Sequence, residues 1–179
     1  MKKNVGSLLA LYPTPATIVG AKVDGKVNWL LVAHVGIIGH DRIMISLAKP
    51  HYTNQGIKDT GKVSVALVDE AMLPKADFVG STSGAKEDKS EVFDWYEGEN
   101  GTPIIEESPL VLECEVDTVY ETEGFDNFIL KIAATYVEED KLDEGGKPDY
   151  EKIAPVLFEF PTYSYISSGK RIGKCLSFK

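Results

Sequence analysis

The 179-residue chain has little cysteine, no long apolar run and a shortage of basic charge, and each shortage narrows what it can be. Cys114 and Cys175 are its only cysteines, far apart and without metal-ligand spacing. One bridge between them is left open, but two isolated thiols in a core-rich chain read as reduced and point to the cytoplasm. No apolar stretch approaches the roughly 20 residues a membrane-crossing helix needs, so no membrane role is expected. Lysine and arginine number 19 against 28 acidic residues, a net charge of −9. Such a surface repels phosphodiester backbones, which argues against a nucleic-acid partner. A bound phosphate would need its own cluster of cations and backbone amides. The chemistry-bearing motifs are also missing: no GxGxxG follows the first strand, and there is no P-loop, nucleophile elbow or convincing triad. His34, His40 and His51 are scattered without matching carboxylates, so no metal site is expected.

What is present is a globular balance, 43% hydrophobic and 26% charged, enough for one domain over 1–179 with a real core. The N-terminal MKKNVGSLLAL faintly imitates a signal peptide. Its apolar run is short and meets Pro13 and Pro15 at once, so it reads as a structured entry to the domain. Short β segments follow. ATIVGA (16–21) and VNWLLVAHVGII (27–38) flank Asp24-Gly25, a strong hairpin signal. RIMISLA (42–48) and KVSVALV (62–68) alternate with period two. Long strands over 109–121 and 125–140 are joined by Thr122-Glu123-Gly124. PVLFEF (155–160) and the segment Tyr163 to Ile166 supply further strand or dimer contacts.

Between these lie two short helices, one over 52–61 with Thr53 as N-cap and Gly61 as terminator. The other falls within 69–80, where Pro74 limits its first turn. The acidic, glycine-bearing stretches 97–107 and 138–146 read as surface loops. Strands so spaced, with only short helices, predict a mainly β, antiparallel barrel with Greek-key links rather than a doubly wound sheet.

Three places could hold chemistry. At Ser46-Leu47-Ala48-Lys49-Pro50-His51-Tyr52-Thr53 a strand ends and a helix begins, so amides, hydroxyls and the Lys49 ammonium could gather a phosphate. Equally, Thr53 merely caps and Lys49 is solvated. The stretch from Gly80 through Ser83 and Asp88 to Ser90 offers small residues for close backbone approach, with Lys89 as a cation beside a reduced ring. It also reads as a polar surface loop. Asn28 has both donors and an acceptor for a heterocycle's imide edge, or it is only a turn residue beside a core Trp29. His34 reads as a core or interface histidine.

Taken in order, these segments resemble the flavin reductase-like family, close to its flavoredoxin branch. The resemblance rests on Tyr12-Pro13-Thr14-Pro15 with Ile18-Val19, the run Asn28-Trp29-Leu30-Leu31-Val32-Ala33-His34, and Ser46-Leu47-Ala48-Lys49 with Tyr52-Thr53. It continues through Ser83-Gly84, Asp88-Lys89, Phe125-Asp126, Gly146 to Tyr150 and Pro155-Val156-Leu157-Phe158. It implies an FMN-binding split barrel, a homodimer with flavin near the interface, and NADH or NADPH as hydride donor. It further implies that Asn28 to Ala33 lie along the isoalloxazine and that Ser46, Leu47, Ala48, Lys49, Tyr52 and Thr53 gather the phosphate. Ser83, Asp88 and Lys89 fall among the cofactor-binding positions, and Lys89 could tune the ring. His34 stands where relatives often carry tryptophan. Two rival expectations are an electron carrier reduced by a redox partner protein, and a non-catalytic ligand- or protein-binding barrel.

Overall fold

Alternation of β-branched and small residues with turn-forming pairs gives a chain dominated by strands, and a computed structural model describes residues 1–177. In chain order these are β1 (Thr14–Pro15), β2 (Thr17–Val23), β3 (Lys26–Val32), β4 (Val35–Ile37), β5 (Arg42–Ala48), α1 (Thr53–Thr60), β6 (Lys62–Leu67) and α2 (Leu73–Ser81). There follow β7 (Trp95–Glu97), β8 (Pro103–Ile105), β9 (Leu110–Glu121), β10 (Phe125–Val137), α3 (Tyr150–Ile153), β11 (Val156–Glu159) and β12 (Ser164–Ser167). The last two residues of the expected 1–179 domain lie outside the described part. Among the described residues no helix is long and apolar enough to cross a membrane.

Seven strands form one antiparallel sheet in the order β3-β2-β6-β9-β10-β5-β4. β3 and β4 stand at its opposite edges, yet only Ala33 and His34 separate them in sequence. The sheet must therefore curl until its edges meet, which is how a barrel hides its edges. The edges meet without pairing, so the barrel is split. The single strand expected over 27–38 is thus two strands, broken where the chain steps from one edge to the other. Thr14 Oγ1 donates to the Ala33 carbonyl at 2.9 Å, and the Ser46 amide donates to the His34 carbonyl at 2.9 Å, tying down the step.

Buried side chains fall into two clusters. Val19, Leu30, Ile45, Val65, Cys114 and Phe128 come from strands all round the curl and fill the barrel with Ile57 of α1. Ile18, Trp29, Val79, Phe93 and Ile104 form the second, on the other face, beneath α2 and the β7–β8 hairpin. Central strands are buried on both sides, which is why β2 and β6 read as near-continuous apolar runs. The small sheet β1-β11-β12 packs beside this second cluster.

Several local expectations hold. Asp24 and Gly25 both take positive φ, 51° and 80°, as the tight hairpin turn demands. Gly61 ends α1 in the left-handed conformation. Others are corrected. Tyr52, not Thr53, occupies the N-cap position, and Thr53 is the first helical residue, because its hydroxyl is held by Asn28. The acidic stretch 97–107 is no surface loop throughout: Thr102 to Ile105 are buried, and Pro103 to Ile105 form β8, whose isoleucines join the second core cluster. Residues 1–13 form no strand or helix and are mostly exposed, so regular secondary structure begins only at Thr14. Cys114 is buried, Cys175 is exposed, and both are free.

Candidate cofactor-binding site

The split in the barrel opens onto two adjoining concavities. The first, of about 380 Å³, is floored by Leu31, Val32, Ala33, Ser46, Leu47 and Ala48 and walled by His34, Phe125, Phe158, Phe160 and Tyr163. Its floor comes from β3 at one edge and from the end of β5 that runs past the short edge strand β4, so it exists only because the two sides of the sheet converge. The second, of about 360 Å³, is lined by Asn28, Leu30, Tyr52 and Thr53 and by the loop running from Gly80 to Lys89. His51 lines both and marks where they meet. One compartment is apolar and aromatic, the other rich in hydroxyls and ammonium groups. In a chain of net charge −9, neither is lined by a carboxylate among the described residues.

The polar compartment is built by close approach. The Asn28 side chain, 4% exposed, donates from Nδ2 to Thr53 Oγ1 at 2.7 Å and so fastens β3 to α1. Gly84 rests directly on that amide. A Cβ there would lie 2.0 Å from Asn28 Oδ1 and 2.9 Å from the Tyr52 ring, so only glycine lets the loop descend this far. Lys89 holds the loop's far end. The residue is 2% exposed, and its ammonium donates to the carbonyls of Val79 (3.0 Å) and Thr82 (2.9 Å) at the C-terminal end of α2. This is the negative end of the helix dipole, where a cation is favoured. Burial nonetheless pushes its pKa down to about 8.

Of the residues singled out from sequence, Leu31, Val32, Ala33, His34, Ser46, Leu47 and Ala48 come together around the apolar compartment. Asn28, Leu30, Tyr52, Thr53, Ser83 and Lys89 come together around the polar one. Three side chains are not brought to either. Trp29 is fully buried in the second core cluster, its ring edge-on to Phe93 at 5.6 Å, because odd-numbered residues of β3 face away from the barrel. Asp88 lies in an outer hollow beyond Asn28, paired with Lys26 at 2.9 Å. Hydrogen bonds from the Ser90 hydroxyl and amide, then from Lys26, hold its pKa well below the usual carboxylate range.

Lys49 is the third. Its amide bonds to the Gly124 carbonyl at the tip of the β9–β10 hairpin, and its ammonium lies 3.5 Å from Glu121 of that hairpin. Beside it, Lys58 bonds to Glu121 and to buried Asp126 at 3.0 Å each, and Asn54 bonds to Asp126 at 2.8 Å. The cation expected to read a phosphate is thus engaged by the protein's own carboxylate. The cations that do line the groove are Lys86 and Lys89.

Ser81, Thr82, Lys86 and His51 lie inside the two candidate stretches but carried no role of their own in the sequence reading, which missed the aromatic wall as site residues. The aromatics arrive from the β9–β10 hairpin, from β11 and from the turn after it, far away in sequence. Tyr12 also reaches the site: its hydroxyl meets His34 Nε2 at 3.0 Å and its ring stacks on Phe160. Partial burial, and then the charge of Lys89, keep the His51 pKa below the ordinary 6.5.

A split antiparallel barrel with a two-compartment groove of mononucleotide size, apolar at one end and cationic at the other, defines a class of nucleotide-cofactor binders. Within that class the chain belongs to the flavin reductase-like domain family, which its residues 9–167 match. It is similar to the flavoredoxin of Methanosarcina acetivorans, with 36% identity, 99% of this chain and 96% of that one covered, and a TM-score of 0.94. It is also similar to the flavoredoxin of Desulfovibrio vulgaris (Miyazaki F), with 31% identity, coverage of 99% and 98%, and a TM-score of 0.91. An FMN-binding protein from Thermus thermophilus, 21% identical, shares the fold with a TM-score of 0.81 over 97% and 98% of the chains. The chain spans 58% of the length of a curated relative from Aeropyrum pernix, to which it is 25% identical over 161 residues.

Proposed function

We propose that this protein is an oxidoreductase that holds FMN along the groove, ring in the apolar compartment and phosphate among the hydroxyls and lysines of 80–89. One observation carries the reading: an aromatic-walled slot and a cationic, hydroxyl-rich hollow adjoin on the seam of a flavin reductase-like barrel. The donor set fits the group. Ser81, Thr82, Ser83 and Lys86 can meet a phosphate dianion, with buried Lys89 adding positive potential, while Leu31, Val32, Phe125 and Phe158 offer flat apolar surface. The absence of carboxylates removes the repulsion such an anion would meet on the rest of the surface.

Bound flavin supplies hydride and electron chemistry, so the protein needs no acid-base dyad of its own. The chain's residues position the ring, exclude water from its buried face and set the local charge. NADH or NADPH serves as the hydride donor in this reading. A second reading, an electron carrier reduced by a redox partner, is favoured by the likeness to two flavoredoxins. A homodimer would cover Leu8, Leu9, Leu11 and Ile37, apolar side chains exposed on the single chain.

The test is spectroscopic. Protein loaded with FMN and freed of excess should stay yellow, and anaerobic NADH or NADPH should bleach the band. Retention without bleaching by either nucleotide selects the carrier. A colourless protein that does not retain added FMN sinks both.

A further inference from the structure

His51 stands apart from every other group in the groove. It follows Pro50 in the link from β5 to α1, and its backbone is pinned on both sides. Its amide donates to the Ala48 carbonyl at 3.0 Å, and its carbonyl accepts from the Asn54 amide at 3.1 Å. The turn therefore fixes where the imidazole emerges, at the meeting of the two compartments. Among the described residues it has no side-chain hydrogen-bond partner.

The other titratable groups that line the groove are already engaged or are not imidazoles. Lys89 spends its ammonium on the carbonyls of Val79 and Thr82. His34 meets the Tyr12 hydroxyl through Nε2. Tyr52, Tyr163 and Lys86 offer two phenols and an ammonium group, not an imidazole. No carboxylate lines the groove among the described residues. His51 alone combines an unengaged imidazole, access to solvent at the groove's rim and a place beside both compartments.

We propose that His51 is the proton-exchange group of the groove, charging when a bound redox ring becomes anionic and discharging when that charge leaves. The inference rests on the FMN reading above. The balance is simple. A hydride brings two electrons and one proton to the ring, leaving it with one added negative charge. His51 then takes one further proton from solvent as imidazolium, and on reoxidation returns it.

Burial and one near neighbour set the direction. Lys89, and the burial of the ring's inner side, favour neutral imidazole before reduction, below the ordinary value of 6.5. A new negative charge alongside favours imidazolium and raises that value. Between the two, each pair of electrons draws in one extra proton. A rise of one pKa unit corresponds to about tenfold tighter binding of the reduced cofactor on the acid side of the window.

The experiment is the midpoint potential of the FMN-loaded protein from pH 5 to 9, for wild type, His51→Gln and, as a control outside the groove, exposed His40→Gln. Wild type and His40→Gln should show a steeper segment with its acid end below pH 6.5, and His51→Gln should lack it. Superimposable pH profiles for wild type and His51→Gln overturn the proposal while leaving the FMN reading intact. Loss of FMN from wild type itself is failure of that reading instead. If His51→Gln alone fails to hold FMN, NMR titration of the His51 ring in loaded wild type decides. An upward move of its titration on reduction supports the proposal, and an unmoved titration refutes it.

Discussion

Replacing Gly84 by alanine tests whether the polar compartment depends on the close approach of its loop to β3. The new Cβ would stand 2.0 Å from Asn28 Oδ1, where ordinary contact begins near 3.4 Å, so one group must move by about 1.4 Å. Asn28 is poorly placed to yield, since it is 4% exposed and its amide is bonded to Thr53. Either that bond breaks or the loop rises. Overpacking of this kind costs about 1–3 kcal/mol, and losing the buried hydrogen bond costs about 1 kcal/mol. We expect Gly84→Ala to lower unfolding stability by about 2 kcal/mol and to weaken FMN about tenfold, because Ser83, Lys86 and Lys89 are displaced together.

A double-mutant cycle isolates the cause. Asn28→Ala removes the obstructing amide at a cost of about 1 kcal/mol, after which Gly84→Ala should add little. Urea unfolding of the four proteins gives the coupling directly, and flavin fluorescence quenching gives the affinities. Additivity of the two changes to within about 0.5 kcal/mol would refute the contact as the reason glycine is needed.

Other expectations follow from the same geometry. Lys86→Ala should weaken FMN more than riboflavin, whereas Lys49→Ala should affect neither, and a phosphate-specific loss at Lys49 would reverse that assignment. Glu113, fully buried, accepts from the Asn100 amide (2.8 Å), the Thr102 hydroxyl (3.0 Å) and Tyr136 (2.9 Å). Glu113→Leu strands these donors and should cost roughly 3 kcal/mol in urea unfolding, against about 1 kcal/mol for Glu113→Gln.

Burial pulls the Asp126 pKa upward, but hydrogen bonds from Lys58 and Asn54 outweigh it and leave it below 3.8. Its contribution is present above the ordinary carboxylate range and is lost as pH falls through the lower folded value, so acid unfolding of Asp126→Asn should be less steep. Lys89 behaves oppositely to a paired lysine. With its folded pKa near 8 against 10.5, the unfolded chain binds more protons between those values. Stability should therefore rise with pH across that window by an increment missing from Lys89→Met.

Local signals settle local structure because they act between near neighbours. Asp24-Gly25 sets its turn through positive φ, Gly61 stops α1, and period-two patterns mark β5 and β6. The family likeness, carried by ordered short segments, placed the barrel class and most floor residues of the groove. What escaped was decided by contacts between distant parts of the chain. Nothing in VNWLLVAHVGII shows that its two halves serve opposite edges of one sheet, since that break depends on where β2 and β5 find their partners. Lys49 looks free beside a helix start until the β9–β10 hairpin folds back and sets Glu121 against it. The aromatic wall, and the place of His51 between two compartments, exist only once the curled sheet brings its edges together. Composition and periodicity determined a strand-rich domain, and long-range pairing decided which charges the site keeps.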